Sequence, residues 1–246
     1  LNQNEWEVVI CTLKDGLYWE KFKSLNIKTY NLALRIISLK TACKFFLILR
    51  KEKPDIIHTH GKGPGLYGRL IGSFLNIPVI HTFHGFHYQD IPFPTRWFHL
   101  AVETLLSLFT DHHIFVSTGE KNRARVLKFL DEENSTVIHN GVDHEHIDSL
   151  PITRNKALKL SESENWEKNK ILGTIARLSP EKGILCLLAA FSKAIKEIPD
   201  LRLIIIGGYP EEHNDYYLKV KSLIDKENLT DYVRILGYRQ DTVKIL

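Results

Sequence analysis

Short apolar runs alternate with helical patterns along most of this chain, and most of these runs end in a glycine or a polar turn. Clear examples lie at 54–60, 76–85, 171–176 and 200–208. Runs of this length that are rich in Val and Ile and bounded by turn residues predict buried strands. Strands that alternate with helices form parallel sheets, whose sites lie at the carboxyl ends of the strands. The alternation therefore predicts an α/β fold with parallel sheets.

The turn after the run 171–176 carries two cations. Arg177 follows the run directly, Lys182 comes later in the turn, and Gly183 precedes an apolar stretch at 184–191 that predicts a helix. A strand, a polar turn and a helix start bring backbone N–H groups and the positive end of a helix dipole to one point. With two side-chain cations, this arrangement suits a diphosphate. A solvated basic turn is the alternative interpretation.

Two of the strands predicted in the first half of the chain end in histidine. The run 54–60 carries His58 and His60, and the run 76–85 ends in His84 and Gly85. Two histidines at a spacing of two can ligate a metal, but no Cys or carboxylate set completes such a site. Structural or acceptor-side histidines are the preferred interpretation of the first pair. On these residues alone, His84 is interpreted as a core or loop histidine.

Positive charge is concentrated near the beginning of the chain. Between positions 21 and 69 there are 11 Lys or Arg residues against two acidic residues, although the formal net charge of the whole chain is only +4. A helix predicted at 32–53 places Lys40, Lys44 and Lys51 on one side and apolar residues on another. Such a helix can rest on an anionic membrane surface. A helix packed on a sheet, with a solvated basic face, is the alternative.

Composition sets broad limits on the class of protein. The 246 residues allow one large domain or two smaller ones, and contents of 43% hydrophobic and 25% charged residues are ordinary for a globular protein. No apolar run is long enough to predict a membrane-spanning helix, and the small net charge gives no argument for nucleic-acid binding. Cys11, Cys43 and Cys186 form no metal or disulfide pattern, which favours a reducing cytosol.

Several segments resemble one protein family. The segment Ala176-Arg-Leu-Ser-Pro-Glu-Lys-Gly183 resembles the Gly-Arg-Leu-x-Pro-Glu-Lys-Gly signature of retaining glycosyltransferases with the GT-B fold, especially family four. Ala176 replaces the usual first glycine. The segments 54–60, 80–85 and 137–143 resemble further parts of the same family, and the resemblance extends from about Val8 to Val243.

The resemblance implies a GT-B-like α/β architecture in which two Rossmann-like parallel-sheet domains face a cleft. It implies an acceptor-side domain at 1–150 and a nucleotide-sugar-binding domain at 170–246. The polar composition of 151–169 predicts an extended connection between them, with room for a short helix. The family's first strand with its glycine-rich loop and its Glu-x7-Glu motif have no counterpart in this sequence. We therefore expect a fragment that lacks both ends, has a truncated second domain and shows no transferase turnover by itself.

The resemblance also implies roles for particular residues. Arg177, Lys182 and Gly183 correspond to residues that hold the donor diphosphate, and His84 corresponds to a catalytic-site residue that positions the sugar or the acceptor. The other implied residues form two groups, one near the donor nucleotide (Gly207, Gly208, Gly237 and Tyr238) and one on the cleft or acceptor side (Gly85, His87, Asn140 and Gly141).

The implied reaction moves a sugar from a nucleoside-diphosphate-sugar to an acceptor hydroxyl with retention, in bacterial cell-surface polysaccharide or glycolipid synthesis. The expected partners are the nucleotide-sugar donor, a glycan or lipid-linked acceptor and an anionic membrane surface, with no nucleic acid. The expected location is cytoplasmic, peripheral on the inner face of the membrane. The resemblance implies no cofactor and no metal, and the sequence contains no Asp-x-Asp motif.

Two alternatives remain open at this stage. One is a truncated or degenerate relative that binds nucleotide or membrane without catalysis, which the absent Glu-x7-Glu motif keeps in view. The other is an NAD(P)-dependent oxidoreductase, because alternating strands and helices are common to both classes. That class requires Gly-x-Gly-x-x-Gly between a strand and a helix, and the spacing of Gly61, Gly63 and Gly65 departs from this pattern.

Overall fold

The computed structural model describes residues 5–14, 17–85, 92–127, 133–149, 153–209 and 214–245. The chain divides into two compact units, Leu1–Gly141 and Val142–Leu246. Residues 142–169 therefore lie in the second unit, whereas the sequence divided them between the first domain and a connection.

The first unit alternates strands and helices. In chain order its elements are β1 (Val9–Thr12), α1 (Leu17–Ser24), β2 (Lys28–Asn31), α2 (Leu39–Glu52), β3 (Ile57–His60), α3 (Lys62–Phe74), β4 (Val79–Phe83), α4 (Thr95–Ser107), β5 (His112–Phe115), α5 (Thr118–Val126) and β6 (Ser135–Val137). Strands β1 and β2 form a parallel pair, and β3, β4, β5 and β6 form a four-stranded parallel sheet in that order. The predicted parallel arrangement is confirmed.

Helix α3 packs tightly on the four-stranded sheet. A Cβ atom at Gly68 would lie 2.2 Å from Cγ2 of Thr59, so the helix backbone approaches β3 closely because that position carries no side chain. Arg69, on the next position of the helix, is fully buried and forms a 2.9 Å ion pair with Glu103 of α4. These contacts hold the middle of α3 against β3 and α4.

The beginning of α2 differs from the prediction. The helix begins at Leu39 rather than at residue 32, because Leu32 and Leu34 are buried in the turn that follows β2. Within α2, Thr41, Phe45 and Leu49 face the core. Strand β2 and helix α1 were not predicted from the sequence.

The second unit contains α6 (His144–Asp148), α7 (Arg154–Leu160), β7 (Lys170–Ile175), α8 (Ile184–Glu197), β8 (Leu201–Ile206), α9 (Asn214–Lys226), β9 (Val233–Ile235) and α10 (Thr242–Ile245). Its strands form a parallel sheet in the order β7-β8-β9. The central strand β8 is buried on both faces, as parallel strands require. Leu203 and Ile205 pack with the cores of α8 and α9, whereas Ile204 and Ile206 pack with Leu158 and with residues near it.

The segment that precedes β7 contains more structure than its polar composition suggested. Helix α7 and a short 3-10 turn at Glu164–Trp166 occupy it. Trp166 is only 2% exposed and belongs to the same cluster as Leu158, Ile204 and Ile206. The segment therefore completes one face of the second unit's core.

Candidate functional site

The loops that follow β7, β8 and β9 are joined at the carboxyl edge of the second unit's sheet. The amide of Ala176 donates to the carbonyl of Ile206 at 2.9 Å, and the amide of Leu178 donates to Gly208 at 2.9 Å. The amide of Gly207 in turn donates to the carbonyl of Gly237 at 2.8 Å. The backbone ladder thus continues past the ends of the strands and holds the three loops together.

Gly207 lies where two of these loops nearly touch. Its φ is +155°, and a Cβ atom there would lie 1.9 Å from the carbonyl oxygen of Ala176. At Gly208 a Cβ atom would lie 3.4 Å from Cβ of Tyr238. The structure therefore brings the four residues predicted near the donor nucleotide together, beside the loop that carries Arg177.

The turn between β7 and α8 presents both predicted cations to solvent. Gly183, with φ +66°, is the N-cap of the 14-residue helix α8, and Lys182 before it is exposed. Arg177 lies 3.3 Å from a carboxylate oxygen of Glu181, which also accepts a 2.6 Å hydrogen bond from the buried hydroxyl of Ser179. Because the Arg177 side chain is 62% exposed, its ion pair is weak and leaves the guanidinium available for a ligand.

Two tyrosines stand at the same edge. Tyr209 follows Gly208, and its ring stacks on Tyr217 of α9 with centroids 4.2 Å apart and planes 12° apart. Tyr238 is exposed after Gly237. The stacking holds the Tyr209 ring on α9. The backbone of Gly207 and Gly208 lies close to the loop after β7.

In the first unit, His84 follows β4 at the carboxyl edge of the four-stranded sheet. Its Nε2 lies 2.9 Å from Nδ1 of His60, the last residue of β3. Gly85 follows with φ +132°. Burial, with the nearby charges of His58 and His84, lowers the pKa of His60 to about 4. His87 lies outside the described residues.

Asn140 and Gly141 come shortly after β6, at the same edge of the sheet. Both are exposed, and β5 separates β6 from β4 in the strand order. Gly141 is also the last residue of the first unit. The structure therefore places these two residues on the edge that carries His84 but not in contact with it.

A polar cavity that the sequence analysis did not predict lies beside His60. It has a volume of about 520 Å³ and is lined by the ends of β1 and β3, the turn after β2 and the start of α3. Arg35, Lys62 and Thr12 contribute polar groups to its wall. The glycine-rich segment 61–65 was the signal in the sequence that could have indicated this cavity. Arg35 lies far from that segment in the sequence, and the fold brings it to the cavity wall.

No group of three or more His, Cys, Asp or Glu side chains suited to a metal ion is found among the described residues. In the same part of the chain, no helix is long and apolar enough to cross a membrane. All three cysteines carry free thiols, and burial, together with the charge of Glu52, raises the pKa of Cys11 to about 11.

Two parallel-sheet units with polar loops at the strand ends define the class of α/β proteins to which this chain's fold belongs. The fold is that of the GT-B glycosyltransferases. It matches HepE of Anabaena, solved in complex with UDP and glucose, with a TM-score of 0.80 at 19% sequence identity over 96% of this chain and 63% of that one. The chain belongs to Glycosyltransferase Family 4, whose model matches residues 1–146, and the model of Glycosyl transferases group 1 matches residues 157–246.

Curated relatives extend beyond the chain. It is 29% identical over 220 residues to the UDP-Gal:alpha-D-GlcNAc-diphosphoundecaprenol alpha-1,3-galactosyltransferase of Escherichia coli, covering 86% of this chain and 54% of the relative. It is 24% identical over 202 residues to the alpha-monoglucosyldiacylglycerol synthase of Acholeplasma laidlawii, covering 77% and 49% respectively. The chain thus spans about half the length of these relatives.

Proposed function

We propose that the protein transfers a sugar from a nucleoside-diphosphate-sugar to an acceptor hydroxyl with retention of anomeric configuration. The observation that carries this proposal is the carboxyl edge of the second unit's sheet. There Arg177 and Lys182 lie on the turn that leads into α8, beside the closely packed Gly207 and Gly208. Membership of Glycosyltransferase Family 4 supports the reaction class. The site supplies cationic side chains and helix N–H groups, which a diphosphate requires.

In the proposed reaction, negative charge builds on the diphosphate as the bond to the anomeric carbon breaks. Arg177 and Lys182 are poised on a turn to neutralise that charge, and the positive end of α8 adds to their effect. Groups that are fixed before the reaction stabilise the leaving group without reorganising. Gly183 lets the chain enter the helix directly after the cations, because φ +66° is unfavourable for other residues. No bound metal is required in this scheme.

On the acceptor side, we assign His84 to positioning the transferred sugar or the acceptor hydroxyl. It is exposed at the carboxyl end of β4, where sites of parallel α/β sheets lie. Gly85, His87, Asn140 and Gly141 are assigned to the surroundings of the acceptor. We name no protein base, because no described carboxylate accompanies His84 in the contacts of this site.

For the acceptor, we propose a lipid-linked glycan or glycolipid in the synthesis of bacterial cell-surface polysaccharide. The names of the two relatives support this choice, because one acts on a diphosphoundecaprenol-linked sugar and the other makes a diacylglycerol glycolipid. Both names include a membrane lipid. A peripheral position on the cytoplasmic face of the membrane follows from this proposal.

The outward face of α2 supports contact with an anionic membrane surface. Leu39 is 82% exposed and Leu47 is 64% exposed, on the side away from the buried residues of the helix. Lys40 and Lys44 are exposed between them. A face that combines exposed apolar side chains with lysines can insert into the headgroup region while its charges pair with lipid phosphates.

Activity measurements on a full-length parent protein test the reaction class. UDP-, GDP- and ADP-sugars are screened for nucleotide release in the presence of a lipid-linked acceptor. Arg177→Ala or Lys182→Ala is expected to lower kcat/KM by roughly 10²-fold, about 2.7 kcal/mol of transition-state stabilisation. Lys193→Ala, which removes an exposed cation from the middle of α8, is the matched control. Full activity in both site variants would refute the diphosphate assignment.

A further inference from the structure

Strand β3 presents two histidines on one face. Ile57 and Thr59 are buried toward α3, so the alternation of a strand directs His58 and His60 to the opposite face. The two imidazole ring centroids lie 4.3 Å apart. Both side chains are more exposed than their buried neighbours, yet each has a hydrogen-bond partner, His58 on the adjacent strand β4 and His60 just after it.

Both histidines of β3 make the same kind of diagonal contact across the sheet. His58 pairs with Ile80 across the parallel ladder, and His60 pairs with Thr82. Each histidine nevertheless bonds to the residue two positions further along, His58 to Oγ1 of Thr82 at 2.7 Å and His60 to Nε2 of His84 at 2.9 Å. Diagonal neighbours are within reach of long side chains in a sheet. The position of His84 is therefore set by the same geometry that orders the strand.

A hydrogen bond between two imidazole nitrogens holds one proton. A neutral imidazole has one N–H donor and one acceptor nitrogen. Burial lowers the pKa of His60 to about 4, and the nearby charges of His58 and His84 add to this shift. His60 is therefore neutral near pH 7, and its Nδ1 can accept a hydrogen bond.

The position of the shared proton follows from tautomer preference. The tautomer that carries its proton on Nε2 is the more stable form of an isolated histidine side chain. If Nε2 of His84 donates to Nδ1 of His60, both rings keep that tautomer. If His60 donates instead, both rings must adopt the less stable one.

We propose that His60 is a positioning residue that holds His84 in the Nε2–H tautomer and leaves Nδ1 of His84 as the acceptor for a substrate hydroxyl. The proposal rests on the assignment of His84 to the acceptor side of the proposed transferase. It implies that a sugar or acceptor hydroxyl donates its hydrogen to His84, and that His60 fixes the ring so that this nitrogen faces the substrate.

Nuclear magnetic resonance of the ¹⁵N-histidine-labelled 246-residue chain tests the arrangement without substrate. His84→Gln assigns the His84 signals. At pH 7.5 we expect a proton bonded to Nε2 of His84 and a scalar coupling from that nitrogen to Nδ1 of His60 across the hydrogen bond. A proton bonded instead to Nδ1 of His60, or the absence of the coupling, would overturn the proposal.

Two variants of His60 separate positioning from general structural effects. His60→Ala removes the acceptor, so the His84 signals should relax toward those of an exposed histidine. His60→Asn offers a carbonyl oxygen near the position of Nδ1, and should restore the protonated Nε2. His112→Ala is the matched control, because His112 makes the same diagonal contact on β5, to Thr136 at 2.9 Å. His84 signals that are identical in the wild type and in His60→Ala would contradict the proposal.

Kinetics of a full-length parent separate this inference from the proposed function. His60→Ala is expected to lower kcat/KM on the order of 10-fold to 100-fold, because a displaced positioning group misaligns the substrate. The His60→Ala/His84→Ala double variant should be no slower than His84→Ala alone, since His60 acts through His84. Additive losses would contradict positioning while leaving the transferase proposal intact. Absence of any sugar transfer would refute the proposed function but leave the spectroscopic test valid.

Discussion

Gly207 provides a direct test of the way in which the loops of the second unit are held together. Its Cβ position lies 1.9 Å from the oxygen and 2.6 Å from the carbon of the Ala176 carbonyl, in a backbone that is itself hydrogen-bonded to β8. Neither atom belongs to a flexible side chain, so the Gly207→Ala substitution must push the loop after β7 away from the loop after β8.

The cost of this substitution has two parts. A residue with a side chain at φ +155° costs on the order of 1–3 kcal/mol of backbone strain. Forcing a methyl group into a packed contact costs about another 1–3 kcal/mol. We therefore expect Gly207→Ala to destabilise the second unit by roughly 2–6 kcal/mol. The adjacent Gly208→Ala, whose nearest contact would be 3.4 Å from Cβ of Tyr238, should cost less than about 1 kcal/mol.

Amide hydrogen exchange measured by mass spectrometry resolves the two units. A loss of about 4 kcal/mol corresponds to roughly 10³-fold faster exchange of amides that open with the unit. Peptides from β7 and β8 should show this acceleration in Gly207→Ala but not in Gly208→Ala, while peptides from β4 and β5 stay unchanged. Equal protection in the two variants would refute the close approach of the two loops.

Two further predictions concern the first unit. Burial, with the charge of Arg69 second, lowers the pKa of His81 to about 2, so below pH 6.5 the unfolded state binds a proton at this residue that the folded state does not. In urea denaturation, His81 should therefore contribute a fall in stability of up to about 1.4 kcal/mol per pH unit below pH 6.5, in addition to the fall from His60, whose pKa is also lowered. An equal slope in His81→Gln would contradict this. Co-sedimentation with phosphatidylglycerol vesicles at low salt should weaken by at least roughly 30-fold in Lys40→Glu/Lys44→Glu, because each lost lysine contributes about 1 kcal/mol and each added carboxylate is repelled by the vesicle. In the wild type it should fall as salt is raised. The double variant Lys193→Glu/Lys196→Glu on α8 is the control, and absence of wild-type binding at low salt would exclude the membrane proposal for this chain.

The sequence predicted the parallel α/β architecture and the turn between β7 and α8 well, because both depend on local patterns. An apolar run, a polar turn with Pro180 and Gly183, and a second apolar stretch lie in consecutive order, so their structure requires no long-range information. The structure places β7 at Lys170–Ile175 and begins α8 at Ile184, close to the predicted limits.

Elements whose apolar residues are few or misleading were predicted poorly. Strand β2 has the sequence Lys-Thr-Tyr-Asn, which lacks an apolar run. Leu32 and Leu34 fit the helical pattern of the following segment, but they are buried in a turn. In the segment 151–169, the polar majority concealed the two anchors Leu158 and Trp166, whose burial depends on tertiary packing.

The donor-side residues and the His60–His84 pair also differ in how well the sequence predicts them. The donor-side residues lie in loops directly after strands, where a glycine or a cation is a visible signal. The pairing of His60 with His84 depends on the register of β3 against β4, which no local pattern specifies. Arg35 reaches the cavity beside His60 only because the turn after β2 folds back to the end of β3.

The most direct test of the proposed function is to map nucleotide binding on the chain. UDP, GDP and ADP are titrated into the ¹⁵N-labelled 246-residue chain, with the corresponding monophosphates for comparison. We predict that a diphosphate shifts the amide signals of residues 177–184, 207–208 and 237–238. Arg177→Ala/Lys182→Ala should weaken binding by roughly 10²-fold or more, since hydrogen bonds to charged groups contribute about 1.5–3 kcal/mol each. Lys193→Ala should bind as the wild type does. Shifts confined to the first unit, or unchanged affinity in the double variant, would contradict the donor site at Arg177 and Lys182.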